Sequence, residues 1–77
     1  EFICLLPNTD VSDAYIVADK IRNKIEQVTF AYDVKVTLSI GLCERDESDY
    51  TIELVNEKAD LALYRAKREG RNKVVKY

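Results

Sequence analysis

The hydrophobic positions along the chain follow two different periods, and each period predicts one kind of element. Residues 34–42 alternate strictly between apolar and small or polar side chains, which is typical of a strand with one face in a core. An apolar run at residues 1–6, which ends at Pro7, predicts a buried strand, because proline cannot continue a ladder. Residues 72–76 predict a last short strand. The apolar face of the middle strand consists of Val34, Val36, Leu38, Ile40 and Leu42.

Two other stretches show apolar residues at helical spacing. The first predicts a helix from about residue 11 to about residue 28, with Asp10 or Ser12 as its N-cap. The second predicts a helix that follows Thr51 as N-cap and stops at Gly70. The two apolar stripes contain Ala14, Val17, Ala18, Ile21, Ile25 and Val28 in the first helix, and Ile52, Val55, Ala59, Ala62, Leu63 and Ala66 in the second.

The order strand, helix, strand, helix, strand predicts an α/β chain of the α+β sandwich type, with two helices packed on one face of a sheet. At 77 residues the chain is long enough for one small domain only, and a core of that size is marginal in stability. No residue stretch is apolar enough for a membrane helix, and no signal peptide is visible. Because the first residue is Glu1 and not Met, we expect the whole protein to begin further upstream.

Charge is distributed unevenly along the chain. The net charge is −2, yet residues 65–76 contain six basic residues against the single acid Glu69. A basic end on an acidic body favours a local anion site over a nucleic-acid-binding surface. There is no His, and Cys4 and Cys43 lie far apart, so a Cys/His zinc site is excluded. We expect both cysteines to be small buried hydrophobic residues in a reducing compartment.

Two segments of the sequence carry a resemblance to a known family. The beginning, EFICLLP, precedes a helix that contains ADKIR, and VTLSIGL is followed by ADLALYRAKREGRNKV. Both segments resemble the GGDEF family of diguanylate cyclases, with Glu1 and Phe2 as the last two letters of its signature turn. On this resemblance residues 1–77 are the C-terminal half of a GGDEF domain. It implies the βαβαβ portion of a ferredoxin-type fold similar to the palm of nucleotidyl cyclases and polymerases.

The resemblance also implies an activity. The family condenses two GTP molecules into cyclic di-GMP and two pyrophosphates, as bacterial second-messenger synthesis, with divalent Mg²⁺ or Mn²⁺ and one GTP on each domain of a homodimer. It implies a cytoplasmic location, with a parent protein that can be attached to a membrane sensor. Since the family keeps its main metal ligands and its guanine pocket in the other half of the domain, we expect the isolated segment to be inactive and to bind no metal.

Three residues match functional positions of the family. Lys67 and Arg71 correspond to the cations that bind the phosphates of GTP. Their placement on either side of Gly70 agrees, because two cations across a tight helix end can converge on one polyphosphate. Cations at a helix C-terminus also simply complement the helix dipole. Glu1 corresponds to the acid associated with catalysis and with the metal cluster, although a solvated terminal residue is the simpler interpretation.

Several other polar residues have simpler structural interpretations. Asp60 is expected on the surface of the second helix, paired with Tyr64 or another neighbour. Ser39 and Gly41 are expected to be small so that another element can approach, not to act in catalysis. Some members of the family use a basic residue on the first helix in a secondary contact with product. This chain would carry Lys20 there in place of the more typical Arg, and a solvated helix face is the favoured interpretation. The residues concerned are Lys20 and Arg22 of the ADKIR string.

Alternatives to the enzyme remain open at this level. A degenerate GGDEF domain would bind GTP or a protein partner without cyclising GTP. A nucleic-acid binder that uses the GRNKVVK tail is disfavoured, because only one short stretch is basic. In the family a central strand lies between the strand at residues 1–6 and the strand at residues 34–42. Without it we expect the segment either to self-associate by edge pairing or strand exchange, or to pair those two strands directly.

Overall fold

The first helix, α1, spans Val11–Gln27, which confirms the sequence prediction. The structure is a computed structural model that describes all 77 residues. The Oδ1 atom of Asp10 accepts a hydrogen bond of 2.8 Å from the amide of Asp13, so Asp10 and not Ser12 is the N-cap. This contact satisfies one of the amides that the first helical turn leaves without a carbonyl partner.

The second helix, α2, spans Ile52–Arg68 and also begins and ends as predicted. The hydroxyl of Thr51 accepts a hydrogen bond of 3.3 Å from the amide of Leu54. Beyond the last helical turn the backbone reverses at Gly70, whose φ is 116°. A residue with a Cβ is strained at that angle, so glycine is the natural residue at this helix end.

Two short strands form a parallel sheet. Strand β1 (Ile40–Leu42) and strand β2 (Val74–Lys76) pair in a register that places Gly41 opposite Val75. Only residues 40–42 of the predicted strand at residues 34–42 are therefore strand. A single turn of 3₁₀-helix occupies Ala31–Asp33, and an isolated antiparallel bridge joins Thr29 and Lys35 on either side of that turn. Alternation of side chains indicates a strand only where a neighbouring backbone is present to bond with, and β2 offers three residues of pairing.

The predicted first strand at residues 1–6 is not formed. These residues belong to no sheet and are exposed, with Phe2 entirely so. They do not pair with residues 34–42 either, so the direct pairing considered from the sequence does not occur. A strand needs backbone hydrogen bonds on at least one edge, and no strand of this chain lies beside this segment. The element order is consequently helix, strand, helix, strand.

The core is built from small side chains. The buried apolar residues are Ala18 of α1, Ala62 and Ala66 of α2, and Val74 of β2. Both helices contact both strands, so the α+β arrangement of two helices on a sheet is confirmed. Leu38 and Ile40 are half-buried, as part of the predicted apolar face, whereas Val36 is 39% exposed, contrary to expectation. Val36 precedes the three residues that pair with β2, so no neighbouring strand covers it.

Other features separate the structure from the sequence expectations. Cys4 is exposed and Cys43 is half-buried, so the prediction that both are buried is wrong for Cys4. The two cysteines are free thiols. Neither helix combines the length and the apolar content that crossing a bilayer requires.

Candidate functional site

The turn between α2 and β2 has an unusual backbone. Three consecutive residues have positive φ: 116° at Gly70, 64° at Arg71 and 50° at Asn72. Side chains other than glycine adopt this region rarely, with asparagine among the more tolerant. The amide of Arg71 donates a hydrogen bond of 2.9 Å to the carbonyl of Ala66 and thereby closes the helix. The turn thus places Arg71 just beyond the helical turn that carries Lys67.

The side chain of Asn72 connects this turn to α1. Its Oδ1 accepts a hydrogen bond of 3.0 Å from Nη1 of Arg22, and its Nδ2 donates to Oε2 of Glu26. Its backbone amide donates to the hydroxyl of Ser39 at 3.2 Å, just before β1. Arg22 is itself held by Asp19, whose Oδ1 lies 2.8 Å from Nε, and that hydrogen bond raises the pKa of the Arg22 guanidinium. All three bonds of Asn72 therefore reach elements outside the turn.

Most cations of the basic C-terminal stretch already have a partner in the chain. Nε of Arg65 lies 3.8 Å from Oε2 of Glu69, and Nζ of Lys73 donates a hydrogen bond of 2.6 Å to the carbonyl of Glu69. Arg68 donates to the hydroxyl of Tyr64 at 3.3 Å, while the Lys76 ammonium lies 5.6 Å from the centre of the Tyr15 ring.

Lys67 and Arg71 differ from these four cations. Both are exposed, and neither side chain takes part in an ion pair, a hydrogen bond or a contact with an aromatic ring. Among the six basic residues of the stretch, these two are the ones whose side chains have no partner within the chain. These two unpartnered cations, four residues apart at the C-terminal end of α2, are available to an anion.

A long groove runs along this side of the molecule. Its volume is about 1160 Å³, and its walls are residues 1–10, residues 37–45 and the inner face of α2. Lys67 and Arg71 border the groove, and Glu1 and Asp60 border it as well. The structure therefore brings the three residues that match the family, Glu1, Lys67 and Arg71, to one concave surface. Their individual roles remain predictions.

The acidic residues along this groove are too dispersed to form a metal site by themselves. A divalent cation such as Mg²⁺ prefers several oxygen ligands at close range, usually carboxylates. No three Asp, Glu, Cys or His side chains of the chain converge in this way, and Glu1 is an exposed terminal residue. The residues present here do not by themselves fit a metal site.

The loop at residues 44–50 is anchored by one buried acid. Asp49 is 1% exposed, its Oδ2 accepts a hydrogen bond of 3.0 Å from the amide of Asp46, and its Oδ1 lies 2.5 Å from Nζ of Lys58. The hydrogen bond from the Asp46 amide, and after it the bond from Lys58, lowers the pKa of Asp49. The hydrogen bond to Asp49 raises the pKa of Lys58. A buried carboxylate with a cation and an amide on its two oxygens is a structural anchor. This anchor was not predicted from the sequence.

The remaining polar residues are placed mostly as the simple interpretations predict. Asp60 is exposed on α2, although the hydroxyl of Tyr64 bonds to Arg68 and not to Asp60. Lys20 is exposed. Arg22 is not on a solvated face, contrary to expectation, because its side chain is 17% exposed and is bound to Asn72 and two acids.

The hydrogen-bonded group of Arg22, Glu26, Ser39 and Asn72 was not predicted from the sequence. A signal for it was present, since Asn72 belongs to the GRN string and Arg22 to the ADKIR string. What the sequence does not reveal is that the two strings meet, because they are 50 residues apart along the chain.

Comparison with known proteins identifies the family. A family model described as the GGDEF domain of diguanylate cyclases matches residues 1–73. The chain therefore belongs to the GGDEF domain family.

Individual relatives agree with this assignment. The chain is 40% identical over 77 residues to diguanylate cyclase A of Treponema denticola, and 37% identical over 75 residues to diguanylate cyclase DgcM of Escherichia coli K12. These alignments cover 96% and 97% of the chain but only 21% and 18% of the two relatives, so the chain spans about a fifth of their length.

A solved structure extends the similarity to three dimensions. It is the active GGEEF domain of a diguanylate cyclase from Vibrio cholerae, with a TM-score of 0.87 and 33% identity. The similarity covers 94% of this chain and 47% of that one. The arrangement of two helices on a parallel sheet is thus the arrangement found in half of a GGDEF domain structure.

Proposed function

We propose that this chain is the C-terminal part of a diguanylate cyclase domain, in which Lys67 and Arg71 bind the phosphates of GTP. The observation that carries the proposal is which cations of the basic C-terminal stretch, residues 65–76, already have a partner in the chain. Four of the six cations of this stretch are engaged within the chain, and the two left free are the two that match the phosphate-binding positions of the family. Lysine supplies a compact charge and arginine a planar fork, which together suit a polyphosphate.

In the proposed reaction the 3′-hydroxyl of one GTP attacks the α-phosphate of another, and pyrophosphate leaves. Negative charge develops on the leaving pyrophosphate, so two cations at its oxygens stabilise the transition state more than the ground state. The role of Glu1 in catalysis and in binding Mg²⁺ or Mn²⁺ is part of the proposal. The further metal ligands and the guanine pocket would be contributed from outside these 77 residues, and cyclisation would use a homodimer.

The groove has an apolar lining that a further element of the domain could cover. Apolar side chains of α1 and of residues 1–6 line it, together with Leu38 and Ile40. We propose that the central strand of the intact domain fills this groove and pairs with residues on both of its sides. The isolated 77-residue chain would then be inactive and would self-associate, since an uncovered apolar groove of this length favours pairing with a second copy.

A degenerate domain that binds GTP without cyclising it is the second candidate. The exposed, unpartnered cations Lys67 and Arg71 serve this candidate equally, since binding a polyphosphate does not require cyclisation. The two candidates share the phosphate site and differ only in chemistry.

One experiment separates the candidates. In the full-length protein, binding of a non-hydrolysable GTP analogue and production of cyclic di-GMP are measured on the same preparation. A diguanylate cyclase binds the analogue and makes product from GTP, whereas a degenerate domain only binds. A protein that does neither contradicts both candidates.

A further inference from the structure

We propose that Asn72, held by Arg22 and Glu26 of α1, is the positioning residue of the turn that carries Arg71. This inference rests on the proposed function in so far as Arg71 binds phosphate. Arg71 would be the residue that touches the ligand, and Asn72 would act through it. The backbone and side-chain hydrogen bonds of Asn72 support this role.

The turn is conformationally costly. A non-glycine residue with positive φ is disfavoured, and here two follow each other after Gly70. Such a backbone persists only when its surroundings hold it. Within the turn and the helix end three bonds form, from the Arg71 amide to Ala66, from the Glu69 amide to Arg65 and from Lys73 Nζ to the carbonyl of Glu69, and none of them restrains Asn72. The stabilising contacts must therefore come largely from outside.

Asn72 supplies those contacts. It uses the acceptor of its side chain for Arg22, a donor for Glu26 and its backbone amide for Ser39. A carboxamide is suited to this position because one end accepts and the other donates. The guanidinium and the carboxylate it bonds to lie one helical turn apart on α1, so they present a donor and an acceptor side by side.

The consequence is a link between α1 and the phosphate site. Arg22 is 17% exposed and is fixed by Asp19, so it forms a rigid support. If this support is lost, the turn no longer holds Arg71 in this place at the border of the groove, although both cations are still present. A displacement of about 1 Å in a catalytic constellation is enough to reduce its effectiveness strongly.

The first test uses Asn72→Ala and Arg22→Ala in the full-length protein, with Lys24→Ala as the matched control. Lys24 is an exposed cation on the same helix. Hydrogen–deuterium exchange is followed at the Arg71 amide, with the Glu69 amide, which bonds to Arg65, as internal reference. We expect exchange at Arg71 to rise about tenfold or more in both variants and to be unchanged in the control. Unchanged exchange in both variants would overturn the proposal.

The second test distinguishes positioning from a general loss of stability. Asn72→Asp keeps the tolerance for positive φ and the acceptor for Arg22, but it sets a carboxylate against that of Glu26. Adding Glu26→Gln restores the hydrogen bond in the opposite direction, because the new carboxamide at position 26 donates to the new carboxylate at position 72. We expect the single variant to bind a non-hydrolysable GTP analogue about tenfold more weakly and the double variant to recover most of that loss. Failure of the second substitution to restore either affinity or exchange protection would contradict the inference.

The two readouts also separate this inference from the proposed function. If the unmodified protein does not bind the analogue at all, the assignment of Arg71 to GTP phosphates fails. Exchange at the Arg71 amide and its recovery in the double variant still decide whether Asn72 positions the turn.

Discussion

Gly41 of β1 lies directly against the backbone of α2 at Leu63. A Cβ added to Gly41 would collide with the amide of Leu63 and with the carbonyl oxygen of Ala59. The strand and the helix can approach this closely only because position 41 has no side chain. Glycine is required here by packing, whereas Gly70 is required by its backbone angle and faces open space.

Gly41→Ala is therefore expected to destabilise the domain strongly. The colliding atoms are backbone atoms, which cannot rotate away, so we expect a cost near the upper end of overpacking effects, about 3 kcal/mol or more. Gly70→Ala is the matched comparison and should cost only about 1–2 kcal/mol, from backbone strain alone. Chemical denaturation of both variants in the intact domain measures the two costs. Equal costs would mean that the helix does not rest on Gly41.

Lys67→Ala and Arg71→Ala are expected to lower cyclic di-GMP production of the full-length protein about a hundredfold each, as loss of a charge-stabilising group does in other enzymes. Both side chains are exposed and unpartnered, so melting temperatures should change little. Arg68→Ala, which removes a cation that is bonded to Tyr64, is the control and should retain activity. Full turnover in both variants would remove these residues from the site.

Leu38→Ala tests whether the groove is filled in the intact domain. Leu38 is half-buried in this chain and borders the groove. Under a covering strand its truncation should cost about 2–5 kcal/mol, as large-to-small core substitutions do. Val36→Ala, at a position that is 39% exposed, should cost less. A cost for Leu38→Ala no larger than that for Val36→Ala in the intact domain would show that nothing covers the groove at this point.

Cys4 and Cys43 provide a chemical probe of the same groove. Cys4 is exposed and should react rapidly with a thiol reagent in the 77-residue chain. Cys43 should react slowly, because desolvation and then the charge of Asp49 raise the pKa of its thiol and lower its thiolate fraction. In the intact domain we expect Cys4 to become protected, since it borders the groove. In the isolated chain, self-association would appear as protection of Cys4 that increases with protein concentration.

The Asp49–Lys58 pair predicts how stability depends on pH. The pKa of Asp49 is lowered in the folded state, so in the unfolded state this carboxylate binds a proton at higher pH. Its contribution to stability is complete above the unfolded pKa of about 3.9 and is lost as the pH falls through the lower folded value. The melting temperature should therefore decrease below about pH 4, and Asp49→Asn should flatten that dependence. Asp60→Asn, which removes an exposed carboxylate of α2, is the matched control substitution.

The helices and their ends were predictable from the sequence because their determinants are local. The spacing of apolar residues, the caps at Asp10 and Thr51 and the stop at Gly70 each act within a few residues, and the structure reproduces all of them. The free cations were also recognisable in sequence as the Lys67 and Arg71 positions of a family signature. Whether another group of the chain neutralises them could be read only from the folded structure.

The strands and the support of the turn were decided by tertiary structure. Alternation at residues 34–42 predicted a full strand, yet only Ile40–Leu42 pair, because a strand exists only where a second backbone meets it. Residues 1–6 lack such a partner and form no strand. Asn72 and Arg22 are 50 residues apart, and their contact depends on how α1 packs beside β2. Local interactions between neighbouring residues therefore determined the elements of this chain, and long-range packing determined which of them pair and which side chains hold the candidate site.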